Sequence, residues 1–175
     1  MKGSIIGNAA TPVFIAARGQ AVQTATDLAI GNITIGGRVE FANFLAGYSF
    51  AALAPNTLLG TNGDAQIGIV KVTGTWAASN LVAGATNTSP TAFGDGNDAS
   101  IGAGTVAIKS SITSITISGG IFGTPNSLSS ADHFGFVAEK IGSIKIGTVT
   151  VALSAAPDTD NIPLGPDGDV NLHEV

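Results

Sequence analysis

The sequence predicts an all-β protein, a right-handed single-stranded parallel β-helix (β-solenoid) of about five irregular coils with loop insertions. Three observations predict it. The stretch Ile30–Gly47, IGNITIGGRVEFANFLAG, recurs 37 positions on as Ile67–Gly84, IGIVKVTGTWAASNLVAG, with Ile30 over Ile67, Gly37 over Gly74, Asn43 over Asn80 and Gly47 over Gly84. Such self-similarity marks a chain built by stacking like units. Its first half, I-G-x-[IV]-x-[IV]-x-G, alternates apolar with polar as a strand with one buried face does. The composition agrees: 24 glycines and only 11% charged residues leave few charged helix faces, while β-branched residues interleaved with small polar ones favour strands.

Along the chain, residues 1–175 divide into an N-terminal partial coil over 1–27, core coils over 28–153, and an acidic, proline-containing C-terminal cap over 154–175. Val13–Ala17 resembles the closing segments Phe44–Gly47 and Leu81–Gly84, so the first unit enters partway round a turn. Asp27, Asp64 and Asp98 each precede an Ile-Gly pair at similar spacing, and an aspartate there sets a turn through its own backbone. Gly37 and Gly74 mark corners where a side chain would obstruct or φ turns positive. The frame returns at Ile112–Gly119 and Ile141–Thr148, displaced by 45 and then 29 positions. Drifting spacing implies insertions between coils: Tyr48–Gly63, Ala85–Asn97 and Thr124–His133 are expected as surface loops on one flank. Thr105–Ile108 is expected as an added short strand, Val149–Leu153 as a continuation of the last coil, and Asp169–Val175 as a closing strand. Parallel stacking at about 4.8 Å per coil buries columns of Ile and Val, and the handedness follows the general bias of parallel crossovers.

The frames IGNITIGG and IGSIKIGT, with FLAG, LVAG and DHFGFVAEKIG between them, resemble the β-helical repeat segments of large exported bacterial surface and adhesin-like proteins. The resemblance covers most of residues 13–175. It implies scaffolding, adhesion or surface coating outside the cell or at its surface, without catalysis. A solenoid's flat ends also invite end-to-end self-association into a homo-oligomer or filament, with a glycan or other cell-surface ligand as a further partner.

Charge and composition exclude several functions. Five lysines and two arginines against twelve acids give a net charge of −5, too little positive charge for a nucleic-acid partner. The absence of cysteine removes disulfides and thiolate metal sites. No run of about 18 apolar residues spans a membrane, and Gly7, Asn8 and Pro12 interrupt the N-terminal apolar stretch before it resembles a signal peptide. Any export signal therefore lies outside this chain.

No residue reads as catalytic, cofactor-binding or a dedicated metal ligand. The alternative to a structural module is a carbohydrate-binding or polysaccharide-degrading β-helix, for which Asp132, His133 and Glu139, beside Lys140, are the glycan-site candidates. Arg38 and Glu40 read as an exposed ion pair. Asp95 and Asp98 in Gly94–Asp98 resemble half of a calcium-binding nonapeptide repeat, so an adventitious calcium is the only cofactor to consider. Thr34, Thr73, Thr116 and Lys145 are expected in one outward column, where Thr is simply a good strand residue. Tyr48 and Trp76 are sugar-stacking candidates if exposed. The acids of the last eighteen residues read as a solvated tail.

Overall fold

A computed structural model describes residues 2–20, 25–51, 54–87, 92–105, 107–124, 133–157 and 159–175; the side chains of residues 54–56 are not among those described. The described residues are all-β, with no helix and with mostly parallel pairing. Three sheets carry the repeat. A four-stranded sheet pairs Ile5–Ile6, Val39–Glu40, Trp76–Ala77 and Ile121–Phe122, all parallel. A six-stranded sheet stacks Val13–Ala17, Ala42–Ala46, Asn80–Ala83, Phe134–Ala138 and Val170–Glu174 in parallel. Its far edge is Asn161–Leu164, antiparallel to Val170–Glu174. In the seven-stranded sheet, Leu28–Ile30 and Ile33–Ile35 lie against Gln66–Val72, which pairs with Ser111–Ile117, which pairs in turn with Lys140–Ile141 and Ile144–Ile146. From Leu28 to Ala138 the chain visits the seven-, four- and six-stranded sheets in that order, three times over.

The register is the one that the repeat dictates. Ile33, Val70, Ile115 and Ile144 sit side by side in successive strands, as do Ile35, Val72, Ile117 and Ile146. In the six-stranded sheet the column is Ile15, Phe44, Leu81, Phe136 and Leu172. Trp76, with no exposed surface, tilts against Phe44 and Phe136 at centroid distances of 5.6 and 5.2 Å. Its indole N–H donates to the Ser79 carbonyl at 2.9 Å, so the largest side chain of the main core leaves no polar atom unpaired.

The corners follow from backbone stacking. The amide of Gly37 donates to the Gly3 carbonyl at 3.0 Å, that of Gly74 to Gly37 at 2.9 Å, and that of Gly119 to Gly74 at 3.1 Å. At Gly74 an added Cβ would lie 2.8 Å from the Gly37 carbonyl and the Arg38 amide, so obstruction, not positive φ, requires glycine there. Positive φ belongs instead to Gly47 and Gly84, at the exit of the six-stranded sheet, and to Phe41 and Ala78 at its entrance.

Several expectations need correction. The insertions after Ala46 and Ala83 leave beyond the six-stranded sheet; of the third, Thr124–His133, residues 125–132 lie outside the described residues. The described parts of the first two insertions do not stand free. Tyr48–Ala51 and Ala54–Gly60 form an antiparallel hairpin, as do Ala85–Thr86 and Ala99–Ser100. Tyr48, Phe93, Ile101 and Leu58 pack on Leu45, Val82 and Val137, the outward residues of the six-stranded sheet, making a second core. That sheet is thus buried on both faces, as its unbroken apolar runs FLA, LVA and FVA require. Thr105, Ala107 and Ile108 lie outside strands; Val106 is outside the described residues. Val149–Val151 does not continue the last coil but turns back antiparallel on Ile144–Ile146. Asp169 and Glu174 are buried, so the acidic end is not a solvated tail; Asp158 lies outside the described residues. Lys71, not Thr73, stands between Thr34 and Thr116 in the outward column, because residue 34 plus the repeat length falls on 71.

Candidate functional site

Two polar constellations lie beside the six-stranded sheet. The first grows from the loop Gly94–Asp98. Asn87 donates from one side-chain nitrogen to Asp95 at 2.8 Å and to Asp98 at 2.7 Å. Asp98 also accepts the Gly94 amide at 2.8 Å and sits 3.1 Å from His173 Nδ1. Burial pushes the Asp98 carboxyl above its ordinary range against the hydrogen bonds from Asn87, His173 and Gly94. At Asp95 burial acts in the same direction but is outweighed: bonds from the Asn97 amide, Asn87 and the Asn97 side chain, with His133 nearby, hold its carboxyl below the usual range. Asn171 Nδ2 donates to the Gly94 carbonyl, fastening the loop to the closing strand. Every oxygen of Asp95 and Asp98 therefore faces an N–H donor or His173, an arrangement that folds the loop. Among the described residues no group of three or more His, Asp or Glu side chains is arranged to hold a metal ion.

The glycan-site candidates do not converge. Asp132 lies outside the described residues. His133 precedes the strand Phe134–Ala138 and Glu139 follows it, so a five-residue strand of roughly 17 Å separates them. Glu139 is engaged by Lys109 at 2.7 Å and by the Ser110 amide at 2.8 Å. Lys140 points elsewhere, 3.2 Å from the buried Glu174. His133 Nδ1 is buried with no hydrogen-bond partner. Tyr48 and Trp76 are both buried, which removes them as sugar-stacking platforms. The Arg38–Glu40 pair expected from the sequence forms at 3.0 Å, with Arg38 exposed and Glu40 half-buried.

The second constellation was not anticipated. Where the chain leaves the six-stranded sheet for the seven-stranded one, three successive loops bound a polar cleft of about 230 Å³, lined among others by Arg18, Gln20, Thr61, Asn62, Asp64 and Thr105. Asp27 and Asp64 occupy equivalent places, and each takes a loop amide on Oδ1: Gln20 donates to Asp27 at 2.8 Å, Thr105 to Asp64 at 2.7 Å. The turn-setting role expected for these aspartates is thus not exerted two residues along: Asp27 takes an amide from earlier in its own loop, Asp64 one from the next coil. Asp98 does not belong to this series, since Ala99–Ser100 pairs antiparallel with Ala85–Thr86.

The two aspartates differ at their second oxygen. Asn62 donates one N–H to Asp27 Oδ2 and also reaches the Arg18 carbonyl at 2.8 Å. Asp64 Oδ2, on a residue only 1% exposed, has no hydrogen-bond partner. Asn62 stands four residues before the strand opening at Gln66; four residues before Ser111 stands Ala107, which has no side-chain amide to give. A buried polar atom left unpaired costs about 1–3 kcal/mol. Asp64 is therefore a copy of Asp27 that lacks its partner, and counting back from the repeated strand is the sequence signal that would have found it.

No family model matches the chain, and neither do any curated protein or solved structure.

Proposed function

We propose that the chain is a right-handed parallel β-solenoid of about five coils that serves as a non-enzymatic structural or adhesive module of an exported bacterial surface protein. The observation that carries this reading is the recurring order of the three sheets, with each coil laid one hydrogen-bonded strand further along all of them. A second observation bears on assembly. At the C-terminal end, antiparallel strands finish two of the sheets, Asn161–Leu164 with its Pro163 and Val149–Val151. The Gly123 amide is taken by Asp167 at 2.8 Å beside the last strand of the third. At the other end the outermost strands Ile5–Ile6, Val13–Ala17 and Leu28–Ile30 run parallel to their single neighbours among the described residues. Ile6, Phe14 and Leu28 are 51%, 40% and 54% exposed there. An edge with apolar side chains and no such antiparallel or acidic cover among the described residues favours strand addition. The module therefore associates through its N-terminal end, head to head in a homo-oligomer or onto another solenoid.

Sedimentation velocity across a concentration series tests this. The intact chain is expected to assemble reversibly and Phe14→Lys to remain monomeric; a monomer at every concentration, or assembly indifferent to the substitution, contradicts it. The polar cleft supports carbohydrate binding as a second reading, whereas the separation of His133 from Glu139 lends polysaccharide cleavage no support.

A further inference from the structure

The first strand of the six-stranded sheet, Val13–Ala17, has a free edge whose bonding groups and side chains are disposed about Ile15. The Val13 amide donates to the Phe41 carbonyl at 2.9 Å, and the Ala17 carbonyl accepts the Gly47 amide at 2.8 Å. In a parallel ladder alternate residues bond to the same neighbour, so Val13, Ile15 and Ala17 turn their N–H and C=O groups towards Ala42–Ala46. Phe14 and Ala16 turn theirs the other way, where no strand lies among the described residues. Ile15 also ends the inward column of Phe44, Leu81, Phe136 and Leu172. Those four are at most 1% exposed, whereas Ile15 is only half-buried. We propose that the occupant of this edge is the same strand of a second copy, antiparallel and related by a two-fold axis through Ile15.

The strand fits its own reverse. About that axis Phe14 of one copy stands opposite Ala16 of the other, and Val13 opposite Ala17, so each large side chain meets a small one. The groups left free are the ones such a pair uses. The N–H and C=O groups of Phe14 and Ala16 in the two copies exchange four hydrogen bonds, and Ile15 faces its counterpart in the closer, non-hydrogen-bonded position. Two isoleucines then close the open end of the core column. Arg18, three residues from the axis, lies roughly 20 Å from its counterpart, beyond the screening length, so the like charges do not oppose the contact. The sheet's other edge offers no equivalent, since Asn161–Leu164 carries Pro163, which has no N–H to give. Because both copies use the same patch, the contact closes as a dimer and recruits no third copy through this strand. The arrangement rests on the N-terminal association proposed above and specifies its partner and register.

Cysteine substitutions in the intact chain read the register, while sedimentation velocity on the same samples reads association by itself. Ile15→Cys should give a disulfide-linked dimer under mild oxidation, because the facing Cα atoms stand about 4.5 Å apart. Val13→Cys alone and Ala17→Cys alone should give none, since each lies about 14 Å from its counterpart, but an equimolar mixture of the two should cross-link. All three variants, reduced, should keep the Trp76 emission of the folded parent, which separates a missing cross-link from a missing fold. A chain that associates without cross-linking at Ile15, or that cross-links through Val13→Cys alone, overturns the two-fold pairing and leaves the association standing. A monomer at every concentration overturns both.

Discussion

Replacing Gly74 with alanine is a sharp test of coil stacking, because the intrinsic effect of the change and its effect in this fold have opposite signs. Gly74 has an ordinary negative φ, so alanine is conformationally acceptable. In open space the substitution would raise stability by about 0.4–1 kcal/mol, through the entropy of the unfolded chain. The new methyl group, however, would sit 2.8 Å from the amide of Arg38 and from the carbonyl carbon and oxygen of Gly37, all immobile backbone one coil away. Overpacking of that kind costs about 1–3 kcal/mol. Gly31 is the control, since an added Cβ there meets nothing within 4 Å. At roughly 2–4 °C of Tm per kcal/mol for a chain of this size, Gly74→Ala should melt several degrees below the parent and Gly31→Ala at or slightly above it. Equal melting temperatures for the two variants would refute the stacking of Gly37, Gly74 and Gly119.

Other outcomes follow from the same contacts. Trp76→Ala should cost about 3–5 kcal/mol, read by chemical denaturation, because it empties the space between Phe44 and Phe136. Tyr48, the chain's single tyrosine, is pushed up to about 12, chiefly by burial, with the charge of Asp98 adding to it and a bond with Thr86 opposing. Phenolate absorbance should therefore be missing well above pH 10. The native state holds that proton longer than the unfolded chain, so this group's contribution to stability falls as pH rises from 10 towards 12. Carboxyl resonances should show Asp98 titrating above, and Asp95 below, the ordinary value of 3.8. By linkage, Asp98's contribution is present below 3.8 and is lost as pH rises through its folded value, whereas Asp95's is present above 3.8 and is lost as pH falls. The reverse order of titration would mean that the Gly94–Asp98 loop is packed differently.

What could be read from the sequence was what repeats at constant spacing. Ile33 over Val70 and Gly37 over Gly74 follow from the repeat alone, and both hold in the register. The strands of the four-stranded sheet, such as Val39–Glu40 and Trp76–Ala77, are two residues long and show no period. The second core was visible in part, since Phe44-Leu45-Ala46 leaves no polar position for an exposed face, but the residues covering it come from insertions that do not repeat. The Asp98–His173 contact joins positions 75 apart, beyond any local pattern. The match of Asp98–Gly102 to the Asp-x-x-Ile-Gly spacing arose by chance in a short motif, whereas the contrast between Asn62 and Ala107 was present but is meaningful only once Asp27 and Asp64 are known to be buried.

The winding itself can be measured with engineered cysteines, since the chain has none of its own. Thr34 and Lys71 are directly paired on adjacent strands, and Thr116 lies one strand further. Adjacent Cα atoms about 4.8 Å apart suit a disulfide, whereas two steps, near 9.6 Å, do not. Thr34→Cys with Lys71→Cys should oxidise to an intramolecular disulfide, and Thr34→Cys with Thr116→Cys should not. Cross-linking of the second pair, or failure of the first, would contradict successive coils lying one strand apart.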